Sequence, residues 1–164
     1  YTQNLTIDHQ RYDLTNWELV ESIERPEWVI CDSVCTILNY ECVMAKTNFR
    51  GRIWTAFFTP EIPIKEGPWK LCGLPGIILK ASDSQNHYSY EATELFTRNV
   101  GIVEFQMKRN RINIKDRRKG LQYRRKCLSE DISKKIQAAY CLDIKKVRHT
   151  PKNYDFEETD YPHE

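Results

Sequence analysis

Short apolar or alternating runs, bounded by turn residues, fill the first two-thirds of the chain, and helical spacing replaces them in the last third. Leu5, Ile7, Tyr12, Leu14 and Trp17 predict one strand and a loop near the start. Trp28-Val29-Ile30, just after Pro26, predicts a short apolar strand. Residues 36–38 and 40–47 predict a hairpin turning at Asn39. A second turn falls at Asn48-Phe49-Arg50-Gly51, where glycine supplies the positive φ of a tight reversal. Residues 52–59 return as a strand rich in aromatic and β-branched side chains. Pro60 and Pro63 stop it, because neither can donate a ladder hydrogen bond. Gly67-Pro68 bends the chain again, and Leu74-Pro75-Gly76-Ile77 carries the signature of a type II turn with positive φ at Gly76. Residues 77–81 predict a strand buried on both faces or at the centre of a sheet, residues 88–92 alternate as another, and residues 100–107 complete the β-rich part.

In the last third, Asn113 is expected to cap a helix with Asp116 in its first turn, although Gly120 inside it costs about 1 kcal/mol relative to alanine. Ser129, Glu130 and Asp131 start a second helix, with Ile132, Ile136, Ala139 and Tyr140 on one stripe. Residues 144–148 suggest a returning strand. The pattern as a whole predicts a single α+β domain over residues 1–164: a curved, mainly antiparallel sheet with one or two helices in the C-terminal third.

Composition changes this picture little. At 164 residues, 40% apolar and 29% charged, the chain belongs with globular proteins of one core. No run of 18 apolar residues offers a transmembrane helix. The net charge of +2 hides an uneven distribution: residues 108–126 hold ten Lys and Arg against Asp116 alone. Aromatic residues hardly interrupt that run, so a solvated helix face partly paired with the acidic tail fits it better than nucleic-acid binding. An anionic membrane surface or glycan is the second reading. A chain opening on Tyr1 without an initiator Met reads as a mature or trimmed form.

Six cysteines, at 31, 35, 42, 72, 127 and 141, include no CxxC pair, which removes support for a zinc ribbon or thioredoxin motif. Disulfides in an exported protein are the reading they favour, against buried free thiols. Cys127–Cys141, Cys35–Cys42 and Cys31–Cys72 are the expected pairs among 15 connectivities.

Gly73-Leu74-Pro75-Gly76-Ile77-Ile78 resembles the signature of the GLPGLI family of secreted bacterial proteins, with Ile77 where that name has leucine. Tyr40-Glu41-Cys42-Val43-Met44-Ala45 resembles the family's Gly-Tyr-x-Cys-x-Lys-Ala block, and Phe49-Arg50-Gly51-Arg52 its following turn. Trp54 through Pro63 resembles its aromatic strand and exit, and Gly67-Pro68-Trp69 leads to the signature. The similarity covers about residues 27–92. Asn39 replaces the usual glycine and Met44 the usual lysine. The resemblance implies export to the periplasm, outer membrane or medium but no established activity. Similar bowl-shaped modules precede a glycan-releasing amidase, which implies an accessory or binding role.

The candidate chemistry is sparse. His9, His87, His149 and His163 lack metal-ligand spacing, and neither a nucleophile elbow nor a phosphate-binding glycine loop is present. No metal or cofactor is expected. Arg52, Glu61 and Glu66 flank the aromatic strand and its bend, and with Trp54 and Trp69 they are the candidate ligand-facing residues. Each has a plainer role as strand-edge ion pair or core. The leading expectation is a non-enzymatic binding or accessory module whose partner is a glycan, a lipid or another envelope protein. A carrier of a hydrophobic ligand in a half-open β-cup is the second. The third is a hydrolase, which would need two carboxylates, such as Glu61 with Glu66 or Asp83, facing one cleft.

Overall fold

A computed structural model describes residues 5–12, 15–22, 24–96, 111–129 and 157–161. In chain order the elements are β1 (Leu5–Tyr12), β2 (Thr15–Ser22), β3 (Val29–Ile37), β4 (Tyr40–Phe49), β5 (Arg52–Thr59), β6 (Ile77–Asp83), β7 (Ser89–Glu91), β8 (Arg111–Ile114) and α1 (Arg117–Ser129). The α+β class is as expected. The predicted strand at 100–107, the second helix, the strand at 144–148 and residues 153–156 lie outside the described residues.

The chain divides into two compact units. The first takes Tyr1–Ile23, Glu104–Asn153 and Tyr161–Glu164. Here β1 and β2 form an antiparallel hairpin where one strand and a loop were expected, and β8 adds parallel to β2. Asn113, the expected helix cap, lies in β8, opposite Glu18. The cap is Asp116 instead: its carboxylate accepts the Lys119 N–H at 3.2 Å, and its carbonyl accepts that of Gly120 at 3.0 Å. Pairing of Arg111–Ile114 with β2 holds this stretch extended, so the helix starts only after Asp116. Gly120 and Leu121 are both buried.

The second unit takes Glu24–Val103 and Tyr154–Asp160. Its sheet has the order β3-β4-β5-β6-β7 and every neighbouring pair is antiparallel. Leu38 (φ 51°) and Asn39 (φ 66°) form the two-residue turn between β3 and β4. Arg50 (φ 55°) and Gly51 (φ 81°) form the turn between β4 and β5. Two consecutive left-handed residues match the right-handed twist of the flanking strands, which is why both turns are tight.

Side chains alternate between the two faces. One face carries Ala45 and Phe49 from β4, Trp54, Ala56 and Phe58 from β5, and Ile78 and Ala81 from β6. Leu71 and Leu74, from the long bend after β5, complete that cluster. The other face gathers Ile37, Cys42 and Leu79 with Phe57, Ile77, Ala92 and Leu95. A register shift between Phe57 and Phe58 lets β6 feed both clusters, as the aliphatic run 77–79 suggested.

The bend itself is pinned by backbone bonds: Ile77 N–H to Ile62 O at 3.1 Å, Ile78 N–H to Glu66 O at 3.0 Å and Gly73 N–H to Lys65 O at 3.0 Å. Gly76 does not have the positive φ that a type II turn requires, and the left-handed glycine is Gly73 at φ 96°. Gly76 is needed for a different reason. A Cβ there would run into the Thr59 carbonyl oxygen, 2.6 Å from its carbon and 3.0 Å from Pro60 Cα. The residue is where the bend passes directly over the end of β5, and only a bare backbone fits.

Candidate functional site

The bend and the far edge of the second unit's sheet enclose an open cavity of about 480 Å³. Pro68 from the bend, Ile78 and Leu79 from β6, Ser89, Tyr90 and Glu91 from β7, and Ala92 line it. Its size falls within the range of small-molecule sites. Pro68, Ile78, Leu79 and Ala92 give it apolar walls, while Ser89 and Glu91 contribute a hydroxyl and a carboxylate. Glu91 is also tied across the strands to Lys80 at 2.9 Å, a largely solvated pair that orients more than it stabilises.

Tyr90 joins this cavity to the core. Its ring stacks on Trp54 at 6.2 Å with an interplanar angle of 24°. Burial, then the negative charges of Glu157 and Asp83, push its hydroxyl above the ordinary value of 10.0, so at neutral pH it keeps its proton. Trp54 is fully buried between Tyr90 and Trp69, whose ring lies 5.4 Å away. Trp69 is half-buried and meets the Phe49 ring edge-on at 6.0 Å. It takes a left-handed φ of 55°, unusual for a bulky side chain and held by this aromatic packing. The turn that presents it closes through the Leu71 N–H on Pro68 O at 3.1 Å.

The candidate ligand-facing residues occupy separate places. Arg52 is buried and paired with Asp83 at 2.9 Å, and its guanidinium lies 5.2 Å above the Tyr88 ring. Asp83 also accepts the Tyr88 N–H at 2.8 Å and the Gln85 N–H at 3.4 Å, so the carboxylate shapes the turn into β7. Glu61 is exposed and accepts the Glu41 N–H at 3.1 Å, fastening the end of β5 to the start of β4. Glu66 is exposed on the bend. The hydrolase reading requires two facing carboxylates, whereas among the cavity-lining residues the carboxylate is Glu91 alone. Among the described residues no group of His, Cys, Asp and Glu is arranged to hold a metal ion.

Cys31, Cys35, Cys42 and Cys72 are free thiols, so the expected Cys35–Cys42 and Cys31–Cys72 bridges are not formed here. The Cys127–Cys141 pair lies outside the residues whose side chains are described. No helix among the described residues is long and apolar enough to cross a membrane. Glu158 and Thr159 of the acidic tail bond to residues of their own unit. The buried Glu158 pairs with the half-buried Lys70, and Thr159 bonds Arg50 O and Gly51 O, each at 2.9 Å.

The cavity-lining residues Ile78, Leu79, Ser89, Tyr90, Glu91 and Ala92 escaped the sequence-based candidates. Alternation at Tyr88, Tyr90 and Ala92 marked the strand, but pattern alone does not reveal that the bend stops short of covering it.

Residues 50–80 match a protein family described as "protein of unknown function (Porph_ging)". These are the β4–β5 turn, β5, the bend and the start of β6, and of the cavity-lining residues they include Pro68, Ile78 and Leu79. The chain is also similar to a solved structure of PNGF-II in space group P21, at 15% identity and a TM-score of 0.42. That similarity covers 70% of this chain and 21% of the other. No curated protein matches.

Proposed function

We propose that this chain is an exported binding or accessory module of the bacterial cell envelope or medium, of the GLPGLI type, and that its cavity takes a small amphipathic ligand, a sugar in the first instance. The observation that carries the reading is the cavity of about 480 Å³, with apolar walls, a Tyr90 side chain and two polar groups, Ser89 and Glu91, beside it. A sugar ring offers C–H surface to an aromatic face and hydroxyls to flanking acceptors. The scattered positions of Glu61, Glu66 and Asp83 favour binding over hydrolysis. The Gly73-Leu74-Pro75-Gly76 signature, which lies inside the family match at residues 50–80, is what supports the GLPGLI type.

A lipid carrier is the second reading, favoured by the apolar walls. It is weakened by the filled sheet face beneath, where Trp54, Leu71 and Leu74 leave no open cup. A thermal-shift screen tests both, using glucose, cellobiose, N,N′-diacetylchitobiose and laurate against wild type and the cavity-filling variant Ala92→Phe. A sugar that stabilises the wild type and not Ala92→Phe supports the proposal. Stabilisation by laurate alone favours the carrier, and equal shifts in both proteins remove the cavity from either role. Trp69→Ala, run in parallel, asks whether the bend is held in its binding shape by its aromatic anchor.

A further inference from the structure

We propose that Cys35 and Cys42 form a reversible dithiol, in which Cys35 is the modification site for small-molecule disulfides and Cys42 the resolving thiol. The hairpin register places them directly opposite each other across β3 and β4. Both are free and on the face that carries Ile37, Leu79 and Phe57.

Their reactivities differ because their surroundings differ. Cys35 is partly exposed on β3, which ends the described sheet order, whereas Cys42 is fully buried. Burial, reinforced by Cys35 and by Glu61 against a backbone hydrogen bond at Ile37, pushes the Cys42 thiol above its ordinary value. A thiol that is buried and reluctant to ionise makes a poor first nucleophile, so the exposed partner reacts first. The Cys35 thiolate attacks one sulfur of the small disulfide and releases one thiolate, leaving a mixed disulfide. Cys42, deprotonated in turn, attacks the Cys35 sulfur and expels the second thiolate. Two protein thiols are oxidised by two electrons, and one small disulfide is reduced to two thiols.

The parity of the ladder makes this bond a switch and not a permanent staple. Ile37 and Tyr40 flank the two-residue turn and exchange backbone hydrogen bonds, so Thr36 and Glu41 form the non-bonded pair and Cys35 and Cys42 the next bonded one. At such a pair the Cα atoms are about 5.5 Å apart, within the range a disulfide spans. The Cβ atoms, however, sit toward the wide end of cross-strand spacing, beyond the roughly 3.8 Å of a relaxed disulfide. Oxidation therefore draws the strands together at some strain, and strained bridges reduce readily. Closing it ties the outer strand to β4 beside the second core cluster.

The test uses the full chain in a Cys31→Ser background. Glutathione disulfide is added, thiols are trapped with iodoacetamide at intervals, and cleavage after Glu27, Glu41 and Lys46 separates Cys35 from Cys42 for mass spectrometry. The expected result is a linked 28–41/42–46 product with only transient glutathionylation of Cys35. In Cys42→Ala the mixed disulfide on Cys35 accumulates at least about tenfold. In Cys35→Ser, Cys42 is glutathionylated at least about tenfold more slowly than Cys35 is in Cys42→Ala. Far-UV circular dichroism checks that each variant is folded, and the wild-type cross-link needs no substitution at either position. A wild type that stops at the mixed disulfide, or Cys42 reacting as fast without Cys35, overturns the proposal. So does a bridge that persists in reduced glutathione while mixed disulfides on the same protein are cleared.

Discussion

Gly76→Ala separates two explanations of the Gly73-Leu74-Pro75-Gly76 segment. If Gly76 served a type II turn, alanine there would cost the left-handed penalty of about 1–2 kcal/mol, and Gly73→Ala would be nearly free. The structure reverses the assignment. A Cβ on Gly76 meets the Thr59 carbonyl and Pro60 Cα, which are backbone at the end of a strand and cannot swing aside as a side-chain tip would. Overpacking costs about 1–3 kcal/mol, and with backbone as the obstacle the upper value of about 3 kcal/mol is expected. Gly73 is left-handed at φ 96°, but its Cβ would find only Arg25 Cβ at 4.0 Å. Gly73→Ala should then cost about 1 kcal/mol from φ alone. Thermal unfolding followed by tryptophan fluorescence reads both changes, since Trp28, Trp54 and Trp69 all belong to this unit. For a unit of this size the expected drop in Tm is roughly 12–24 °C for Gly76→Ala and 4–8 °C for Gly73→Ala. Gly73→Ala proving the more damaging of the two would refute the reasoning.

Other consequences follow from the same contacts. Asp83→Ala removes the buried carboxylate that pairs with Arg52 and should cost about 3–5 kcal/mol in denaturant unfolding, with the Arg52→Met, Asp83→Leu pair recovering much of it. Glu158→Ala removes the partner of Lys70, so limited proteolysis should cut the region near residue 157 at least several-fold faster than in wild type. Cys42 and Cys72 are both held above the ordinary thiol value of 9.0, chiefly by burial. The unfolded chain therefore releases those protons first, and the stability they contribute is complete below about pH 9 and is lost as pH rises beyond it. Under reducing conditions, Cys42→Ala with Cys72→Ala should flatten that alkaline decline in a series of urea curves. An unchanged slope would show that neither thiol is linked to folding.

The strands were legible where local chemistry and burial agreed. β5 runs Arg52–Thr59 as the aromatic and β-branched run suggested, because prolines end it on one side and an Arg50-Gly51 turn on the other. Elsewhere, residues distant in sequence decided the outcome. Gly76 sits in a Leu-Pro-Gly-Ile sequence that reads as a type II turn, yet its conformation is set by Thr59, seventeen positions earlier. Arg111–Ile114 is a strand because β2 offers an edge, and no local signal announces that partner. The candidate site was partly legible for the same reason. Trp69 stood out by residue type, and the structure adds that it clamps Trp54. Tyr90 and Glu91 looked like an ordinary short strand until the incomplete cover of the bend made them cavity walls.

The claim that this cavity binds a ligand is tested most directly by amide chemical shifts. An isotope-labelled sample is titrated with cellobiose and, separately, with N,N′-diacetylchitobiose. The account predicts that at least one sugar saturably shifts the amides of Leu79, Ser89, Tyr90, Glu91 and Ala92, and that Ala92→Phe abolishes those shifts while the remaining spectrum stays folded. Saturable shifts confined to other parts of the sheet, or the same shifts in Ala92→Phe, would contradict it.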